Sequence, residues 1–475
     1  MLRRSHSDAR ARTLAVKPVT QGGGRLGPFL IHGGTLVCMD AARRVLKGDL
    51  LVVDGRIAAI GDAVSQALRS LPGGRAPESF DAHGALVLPG FVHAHLHLCQ
   101  TLFRGLAEQS DLLTWLRRSI WPLEAAHTEA SIAASARLGL AELLAGGVTC
   151  VNDMGTVHHQ DVLLETLAAT GLRGVAGPAL MDQGEGVPAR LLEGADRALD
   201  RALSLARKLS GSKNSRLRAS LAPRFILSCS ERLWRDVTDA SRELGLLVHT
   251  HLAESPTEGG EVKDAVGSHA APYFAAHGVL SPRFVGAHGV WLDDEELQLM
   301  KSADAALVHC PGSNLKLGSG VADVRAWRRA GVRCGLGSDG AACNNRLDTF
   351  AELSLAAGLA RIQHRDDPLP ARDVVALATC DGADALGLGA EVGSLEQGKR
   401  ADVAVVDVSQ AHHAPHAEGD PYTTLAHAAR ATDVRLTMVD GHVLYAHGSH
   451  RTLDPERAVA DANRESQALL KRMSP

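Results

Sequence analysis

Two histidines, His95 and His97, are separated by a single residue, and this spacing suits the binding of one metal ion. If the segment is an extended strand, residues two apart project from the same face, so both imidazoles can reach one cation. Zinc binds histidine nitrogens at about 2.0–2.1 Å. An ordinary polar strand end would show the same pattern. His93 is also two residues from His95, and His249 is two residues from His251, so each would point to the same face as its neighbour. Spacing alone therefore does not select the ligands.

Further acidic and imidazole side chains follow other apolar runs of the chain. His251 and Asp339 would complete a set of three histidines and one carboxylate, which leaves room for a water at the ion. A divalent ion lowers the pKa of such a water toward neutrality. Glu254, three residues after His251, is then placed to carry a proton. Asp339 can accept the water proton, and His288 can hold the hydroxide or the developing tetrahedral centre.

These residues stand at the ends of short apolar runs that alternate with amphipathic stretches, and this alternation predicts the fold. Eight runs over roughly 300 residues predict an α/β protein with a (β/α)8 TIM barrel, in which catalytic groups lie at the carboxyl ends of the strands. A doubly wound open sheet is the competing architecture, but no GxGxxG follows the first strand, which disfavours its dinucleotide-binding form. The predicted barrel strands are Ala85–Val92, Thr149–Asp153, Arg173–Gly177, Arg218–Ala222, Leu246–His251, Phe284–His288, Ala306–His309 and Arg333–Ser338.

Both ends of the chain contain short β segments with turn signals, such as Asp54-Gly55 and Asp440-Gly441 between apolar runs. Neither end can bury a core alone, so we expect the two to pair into one small β-sandwich. The predicted divisions are a disordered tail at 1–27, a first part of the sandwich at 28–88, the metal-dependent barrel at 89–392, a second part of the sandwich at 393–450 and a C-terminal helix at 451–475.

The composition of the chain excludes several classes of protein. It has 475 residues, with 50 Lys and Arg against 54 Asp and Glu, whereas nucleic-acid-binding proteins usually carry a basic surplus. No apolar run approaches the roughly 20 residues of a membrane helix. We therefore expect neither a nucleic-acid nor a membrane partner. The eight cysteines form no CxxC pair, and the basic N-terminus lacks the apolar core of a secretory signal, which together predict a cytoplasmic protein with reduced thiols.

Four motifs in combination resemble the amidohydrolase superfamily, and more narrowly its branch of aminohydrolases and chlorohydrolases that act on nitrogen heterocycles. This branch includes methylthioadenosine/S-adenosylhomocysteine deaminases, guanine deaminases and s-triazine hydrolases. The motifs are Pro89–His97, His249–Glu254, Ala287-His288 and Gly337–Ala342. The segment Gly393–Asp402 also resembles the part of these chains that returns to the β-sandwich, so the resemblance extends over residues 29–450.

The resemblance implies a mononuclear metal site, usually zinc, with Fe2+ as the alternative ion. The ligands that it implies are His95, His97, His251 and Asp339. The groups that it implies for proton handling and water orientation are Glu254, His288 and Asp339. Binuclear relatives use a carboxylated lysine at the end of the fourth strand, where this chain has Pro223-Arg224, so we expect one metal ion.

Four residues are candidates for contact with the substrate, and they resemble two different groups of enzymes. Trp115 and Glu124 resemble adenosine-type deaminases, in which the matching glutamate binds ribose hydroxyls and the tryptophan lines the pocket. Gln100 and Arg224 resemble guanine deaminases, whose arginine contacts the purine, and Gln100 also resembles some triazine hydrolases. Because arginine is a permanent donor, Arg224 favours an oxo-substituted purine or a pterin over plain adenine. The alternatives are an ion pair near the barrel rim for Arg224, and helix packing with a solvated carboxylate for Trp115 and Glu124.

These features predict a metal-dependent hydrolytic deaminase that releases ammonia from a small aminated heterocycle. The substrate class is a guanine-like base, an adenosine-like or S-adenosylhomocysteine-like nucleoside, or a pterin. Removal of chloride or an alkylamine from an s-triazine is the alternative within the hydrolases, and a catalytically inactive barrel scaffold is the alternative from another class. By analogy with the family, we expect a homodimer or a homotetramer.

The chain contains 23 histidines, far more than this chemistry uses. Only His95, His97, His251 and His288 take part in the predicted mechanism. The stretch His412-His413-Ala414-Pro415-His416 is predicted to be a loop, with adventitious metal binding as the alternative.

Overall fold

The computed structural model describes residues 26–71, 76–107, 111–212, 215–415 and 419–473. The tail predicted at 1–27 lies, up to residue 25, outside these residues. The described strands form two nine-stranded sheets. Within the described ranges, no helix is both long enough and apolar enough to cross a lipid bilayer.

The strands and helices follow one another along the chain as follows. The strands are β1 (Phe29–Val37), β2 (Val45–Val53), β3 (Arg56–Ile60), β4 (Glu78–Asp81), β5 (Ala85–Pro89), β6 (Phe91–Leu96), β7 (Val148–Met154), β8 (Arg173–Gly177), β9 (Ala179–Leu180), β10 (Leu217–Pro223), β11 (Leu247–Leu252), β12 (Phe284–His288), β13 (Ala306–His309), β14 (Arg333–Leu336), β15 (Val403–Asp407), β16 (Val434–Val439), β17 (His442–Ala446) and β18 (Ser449–His450). The α-helices are α1 (Ala63–Arg69), α2 (Leu112–Trp115), α3 (Trp121–Ala125), α4 (Glu129–Ala145), α5 (Gln160–Thr170), α6 (Ala195–Ser210), α7 (Glu231–Leu244), α8 (Pro256–Val266), α9 (Ala270–Ala276), α10 (Asp294–Ser302), α11 (Pro311–Lys316), α12 (Val324–Ala330), α13 (Ala341–Asn344), α14 (Thr349–Gln363), α15 (Ala371–Leu377), α16 (Cys380–Ala385), α17 (Pro421–His427) and α18 (Pro455–Met473).

One of the two sheets is a barrel of parallel strands, which confirms the predicted α/β TIM-barrel fold. Its strands lie side by side in the order β6, β7, β8, β10, β11, β12, β13 and β14, and the short β9 pairs with β10. The ring is nearly closed where the amide of Asp339, just after β14, donates to the carbonyl of His95 on β6 at 3.2 Å. The carboxyl ends of all eight strands therefore meet around one mouth.

The first barrel strand is shorter than predicted, because the chain changes sheet at Gly90. The predicted strand Ala85–Val92 is wrong in its extent. Ala85–Pro89 pairs with β1 and β15, in the sheet of the smaller domain, whereas Phe91–Leu96 pairs with β7 of the barrel. A Cβ at Gly90 would lie 2.0 Å from Cγ2 of Thr149. The crossing between the two sheets therefore requires a residue without a side chain.

The other sheet, which belongs to the smaller domain, combines both ends of the chain, as the turn signals predict. Its order is β18-β17-β16-β15-β5-β1-β2-β3, with β4 beside β1, and β5 from the N-terminal part pairs antiparallel with β15 from the C-terminal part. The sheet curls on itself, since the amide of Ile57 donates to the carbonyl of Lys399 and the amide of Gly398 donates to the carbonyl of Ile57. The sandwich-like core is thus enclosed by one continuous sheet, and the exact domain boundaries stay a prediction.

A buried ion pair joins the barrel to the sheet of the smaller domain. Arg173, at the start of β8, donates from Nε and Nη2 to the two oxygens of Asp402, at 2.7 and 3.0 Å. The two side chains are 3% and 1% exposed. The amide of Asp440 also donates to Asp402 at 2.8 Å. Because removing two charges from water is costly, this bidentate geometry and the additional donor are what make the pair tolerable.

The helices around the barrel show how local sequence signals produce the packing. In α7, the Ser230 side chain caps the first turn by accepting from the amide of Leu233, and Gly245 ends the helix with a φ of +69°. Leu233, Trp234 and Val237 lie on one face and are buried against the barrel. Burial of each such side chain contributes about 1.5–3 kcal/mol, which holds the helix in place.

Candidate active site

Four predicted ligands converge at the barrel mouth. His95 lies on β6, His97 directly follows that strand, His251 lies on β11, and Asp339 follows β14. The Nε2 atoms of His97 and His251 are 3.2 Å apart. Oδ1 of Asp339 lies 3.3 Å from Nε2 of His95 and 3.4 Å from Nε2 of His97. All four side chains thus direct their polar atoms toward one point.

Backbone carbonyls orient two of these imidazoles. Nδ1 of His97 donates to the carbonyl of Met154 at 2.7 Å, and Nδ1 of His251 donates to the carbonyl of Arg224 at 2.7 Å. Each ring therefore carries its proton on Nδ1, and the lone pair of Nε2 faces the centre. Burial lowers the pKa of both histidines, to about 4 for His97, which favours the neutral form that a metal requires.

The structure gives different contacts to His93 and His249, the two histidines that spacing alone did not exclude as ligands. His93 is turned away, with Nδ1 2.9 Å from Oγ of Ser338 and Nε2 2.7 Å from Oγ1 of Thr349. His249 lies behind His95, and its Nε2 is 2.8 Å from Nδ1 of that ring. His249 is therefore an orienting residue that the sequence alone did not identify, although its spacing pattern contained the signal.

The centre has the properties of a cation site. Nε2 of His95 and Nε2 of His288 are both buried and have no hydrogen-bond partner among the described residues. Buried polar atoms are rarely left unpaired, because the loss of solvation is not compensated. Three neutral imidazoles and one carboxylate form a donor set that suits a divalent ion such as zinc. The residues present therefore fit one metal ion.

Asp339 is held in place on several sides. Its Oδ2 accepts from Oγ of Ser313 at 2.7 Å, and its Oδ1 accepts from the amide of Gly340 at 2.7 Å. Burial by itself would raise the pKa of Asp339, but the close imidazoles of His95 and His288 outweigh it and hold the pKa well below its usual range. The backbone φ is +59°, a strained conformation of the kind found at functional sites.

The two predicted proton-handling partners of Asp339 lie next to it. Nε2 of His288 is 3.5 Å from Oε2 of Glu254 and 3.8 Å from Oδ2 of Asp339. Nδ1 of His288 is 2.9 Å from Oδ1 of Asn314, which fixes the ring. Burial, followed by the charge of Asp339, raises the pKa of Glu254 well above its ordinary value. A carboxyl group in this state can carry a proton at neutral pH.

A second carboxyl group, Glu258, also faces the cavity, and the sequence analysis did not single it out. Its Oε2 accepts from the amide of Glu254 at 2.9 Å, and its own amide donates to Oγ of Ser255 at 3.1 Å. Burial, followed by the charge of Glu254, raises the pKa of Glu258 to about 7. The signal for it was the Ser-x-x-Glu spacing at the start of α8, which resembles a capping box.

Two of the predicted substrate contacts, Gln100 and Arg224, line the cavity and bond to a third, Glu124, which is not among the lining residues. Nη1 and Nη2 of Arg224 donate to the two carboxylate oxygens of Glu124 at 2.6 and 3.2 Å, and Nε2 of Gln100 donates to Oε1 of Glu124 at 2.9 Å. Glu124 is 3% exposed, so it is not the solvated carboxylate of the alternative prediction, whereas Arg224 does form an ion pair, which was the alternative for that residue. Burial would raise the pKa of Glu124, but the pairing with Arg224 lowers it.

The cavity beside this trio is small, with a volume of about 20 Å3. The segment from Leu112 to Ala125 covers one side and contains a π-helical turn at Leu116–Ile120, a feature often found at functional sites. Trp115 lies on this segment, as predicted for a pocket-lining residue, and its Nε1 donates to the carbonyl of Ala107 at 3.3 Å. The lining residues are His97, Gln100, Leu112, Trp115, Leu116, Arg224, Phe225, His251, Glu254, Glu258 and Asp339.

Comparison with known sequences agrees with this geometry. The family model described as "Amidohydrolase family" matches residues 86–444. The chain is 38% identical over 419 residues to a 5-methylthioadenosine/S-adenosylhomocysteine deaminase from Halobacterium salinarum, covering 87% of the chain and 91% of the relative. It is 34% identical over 427 residues to a 5'-deoxyadenosine deaminase from Methanothermobacter thermautotrophicus, covering 90% of the chain and 95% of the relative.

Solved structures with the same architecture include enzymes of three specificities. An adenosine deaminase from Xanthomonas campestris with bound zinc has a TM-score of 0.86 and 29% identity, covering 93% of this chain and 98% of its own. An atrazine chlorohydrolase from Arthrobacter aurescens, complexed with zinc, has a TM-score of 0.84 and 25% identity, covering 93% and 100%. Guanine deaminase from E. coli has a TM-score of 0.77 and 26% identity, covering 89% and 99%.

Proposed function

Because the chain belongs to the amidohydrolase family, we propose that it is a metal-dependent hydrolytic deaminase whose preferred substrate is an aminopurine base with a ring carbonyl, of the guanine type. Hydrolytic deamination of a purine-like substrate is common to its deaminase relatives. The single observation that carries the choice among purines is the buried contact of Arg224 with Glu124 in the cavity wall.

The proposed cofactor is one zinc ion, with Fe2+ as the alternative. His95, His97, His251 and Asp339 would hold it. When bound, such an ion lowers the pKa of a water and supplies Lewis acidity. Zinc in two of the similar solved structures supports the choice of metal. The absence of a lysine at the end of β10 supports a single ion.

The side chains around the ligands suit the proton transfers of deamination. Water adds to the ring carbon that bears the amino group, the ring nitrogen next to it takes up a proton, and ammonia leaves as the ring carbonyl forms. Glu254 has a raised pKa and lies beside His288, so we assign to it the transfer of a proton to the ring nitrogen. Asp339 accepts a proton from water, and His288 orients the attacking oxygen through its Nε2.

The trio of Arg224, Glu124 and Gln100 favours a base over a nucleoside. Both oxygens of Glu124 already accept hydrogen bonds from Arg224 and Gln100, so the carboxylate is engaged rather than free for ribose hydroxyls. Glu124 also fixes the guanidinium plane of Arg224. The remaining N–H groups of Arg224 can donate to a ring carbonyl, which guanine has and adenine lacks.

An ammonia-release assay on the purified enzyme tests the proposal. The panel contains guanine, 8-oxoguanine and pterin on one side, and adenosine, 5'-deoxyadenosine, methylthioadenosine and S-adenosylhomocysteine on the other. We expect guanine-type bases to show the highest kcat/KM. A higher kcat/KM for the nucleosides would overturn the choice of substrate but keep the reaction.

Two further results would overturn the reaction itself. Release of chloride from atrazine without ammonia release from any purine would indicate the triazine hydrolase alternative. Absence of both turnover and tightly bound metal would indicate the inactive scaffold. The homodimer or homotetramer and the cytoplasmic location stay predictions from the sequence, and light scattering on the purified protein tests the first of them.

A further inference from the structure

Three metal-ligating side chains meet in the smaller domain, outside the candidate active site. His412 and His413 lie in the short turn after β15, and Asp433 lies immediately before β16. Nε2 of His412 and Nε2 of His413 are each 3.0 Å from Oδ2 of Asp433. The two rings are consecutive in the chain, yet their centroids are only 4.1 Å apart, because both turn toward the same carboxylate.

The hydrogen bonding of Asp433 does not explain this convergence. Its Oδ2 also accepts from the amide of Arg430 at 2.9 Å, so three nitrogens face one oxygen. A carboxylate oxygen offers about two lone-pair positions to donors, so three N–H groups exceed its capacity. As a purely hydrogen-bonded set, with three nitrogens at one carboxylate oxygen, the cluster is therefore poorly satisfied.

We propose that His412, His413 and Asp433 form a second site for a divalent transition-metal ion, separate from the catalytic one. All three ligand atoms lie within 4.8 Å of one another, as binding to a common ion requires. Imidazole and carboxylate ligands suit Zn2+, Ni2+ or Cu2+ rather than Ca2+ or Mg2+. The side chain of His412 is 27% exposed, so water can reach the open side and complete the coordination.

The position of the cluster indicates a structural role for the ion. His412 and Asp433 are 21 residues apart and stand at the two ends of an excursion between β15 and β16. This excursion contains α17, which packs on α14 and α15 of the barrel. A shared ion would close the excursion at its base and restrict the unfolded chain more than a hydrogen bond does. Loss of the ion should therefore affect stability and leave turnover unchanged.

Metal counting on the full-length, untagged protein tests the site. After chelator treatment, the protein is dialysed against buffered free Zn2+ at a few micromolar, and bound zinc is measured by elemental analysis. We expect two equivalents in the wild type and one in His412→Gln, since loss of one of three ligands weakens affinity by about tenfold or more. Asp339→Ala should lose the other equivalent. A wild type that saturates at one equivalent would overturn the proposal.

Matched variants and a spectroscopic readout separate this site from nonspecific binding. His364 also pairs with a carboxylate, at 2.7 Å from Asp323, but has no second histidine beside it, so His364→Gln should keep both equivalents. Co2+ in place of zinc should add a visible absorption band that is present in the wild type and lost in His412→Gln. Two equivalents in His412→Gln would show that the ion binds elsewhere. A wild-type count of one equivalent overturns the proposal even if a variant fails to fold.

The melting temperature provides a third measurement. Zinc added beyond the catalytic equivalent should raise Tm in the wild type and in His364→Gln but not in His412→Gln, while kcat stays the same in all three. An equal rise of Tm in His412→Gln would contradict a role for this cluster. Because the readout is ion count and stability, failure here leaves the deaminase assignment intact.

Discussion

Arg224 and Glu124 are 100 residues apart in the chain, yet two hydrogen bonds of 2.6 and 3.2 Å join them in the wall of the substrate cavity. The guanidinium follows β10, whereas the carboxylate lies on α3 in the segment that covers the cavity. Each was a candidate for a different substrate when considered alone. Their pairing joins the two candidates into one recognition unit, because neither side chain can change without leaving the other charge buried and unpaired.

Replacing Arg224 by histidine should change which substrate is preferred. We expect kcat/KM for guanine to fall by about 100-fold or more, because the donors to the ring carbonyl are lost and Glu124 is left without its partner. Activity on adenosine-type nucleosides should fall less or rise. Arg224→Lys keeps the charge without the two-pronged geometry and should lie between the two. An equal fall for all substrates would show that Arg224 only supports the cavity wall.

Replacing Glu254 by glutamine should remove the proton carrier while preserving shape. We expect kcat to fall by about 100-fold to 10,000-fold, the usual contribution of a general acid–base group. Bound metal should stay at the wild-type level, because Glu254 is not among the ligands. Glu243→Gln, an exposed position on α7, is the control and should keep full activity. Unchanged turnover in Glu254→Gln would refute the assigned role.

Replacing His249 by asparagine should weaken the hold on the catalytic ion. The 2.8 Å contact with Nδ1 of His95 orients that ligand, and loss of such an outer contact typically lowers metal affinity by about 10-fold to 100-fold. Competition with a chromophoric zinc chelator measures the change directly. His127→Asn is the matched control, since His127 is equally buried but contacts Cys99 and Ser131 instead. Equal affinities in the two variants would refute the role of His249.

Two substitutions at Glu258 should separate its hydrogen bond from its charge. Glu258→Gln retains a carbonyl oxygen that can accept from the amide of Glu254, so kcat should stay near the wild-type value. Glu258→Leu removes the acceptor, and we expect kcat to fall by about tenfold as Glu254 loses its fixed position. The KM and the metal content should not change. A similar loss of kcat in both variants would indicate that the ionisable group itself is required.

Replacing Arg173 by methionine should destabilise the whole molecule. The substitution leaves Asp402 buried without a charge partner between the barrel and the sheet of the smaller domain. Such a loss typically lowers the free energy of unfolding by about 3–5 kcal/mol. Urea unfolding followed by circular dichroism measures the loss, and Arg173→Met combined with Asp402→Leu should recover part of it. Arg232→Met, which removes an exposed ion pair, should have little effect. Full stability in Arg173→Met would mean that the pair does not support the arrangement.

Local sequence patterns predicted the architecture and the meeting of the candidate metal ligands. Alternation of apolar runs with amphipathic stretches is a local property, so it predicted the barrel, and the barrel in turn predicted that His95, His251 and Asp339 would meet. The same reasoning predicted that both chain ends would form one small domain. The predicted strand Ala85–Val92 ran past the end of β5 into β6. The change of sheet at Gly90 depends on the contact with Thr149, which is distant in the chain.

Contacts between distant parts of the folded chain set the roles of the remaining side chains. Strand parity places His93 and His249 equally, but the neighbours across the barrel turn one toward Ser338 and the other toward His95. The pairing of Arg224 with Glu124 likewise depends on which helix covers the mouth. These contacts join residues 100 to 245 positions apart. Local patterns carry no information on such distances, so the meeting of the candidate ligands was predictable from the barrel, whereas the residues that orient them were not.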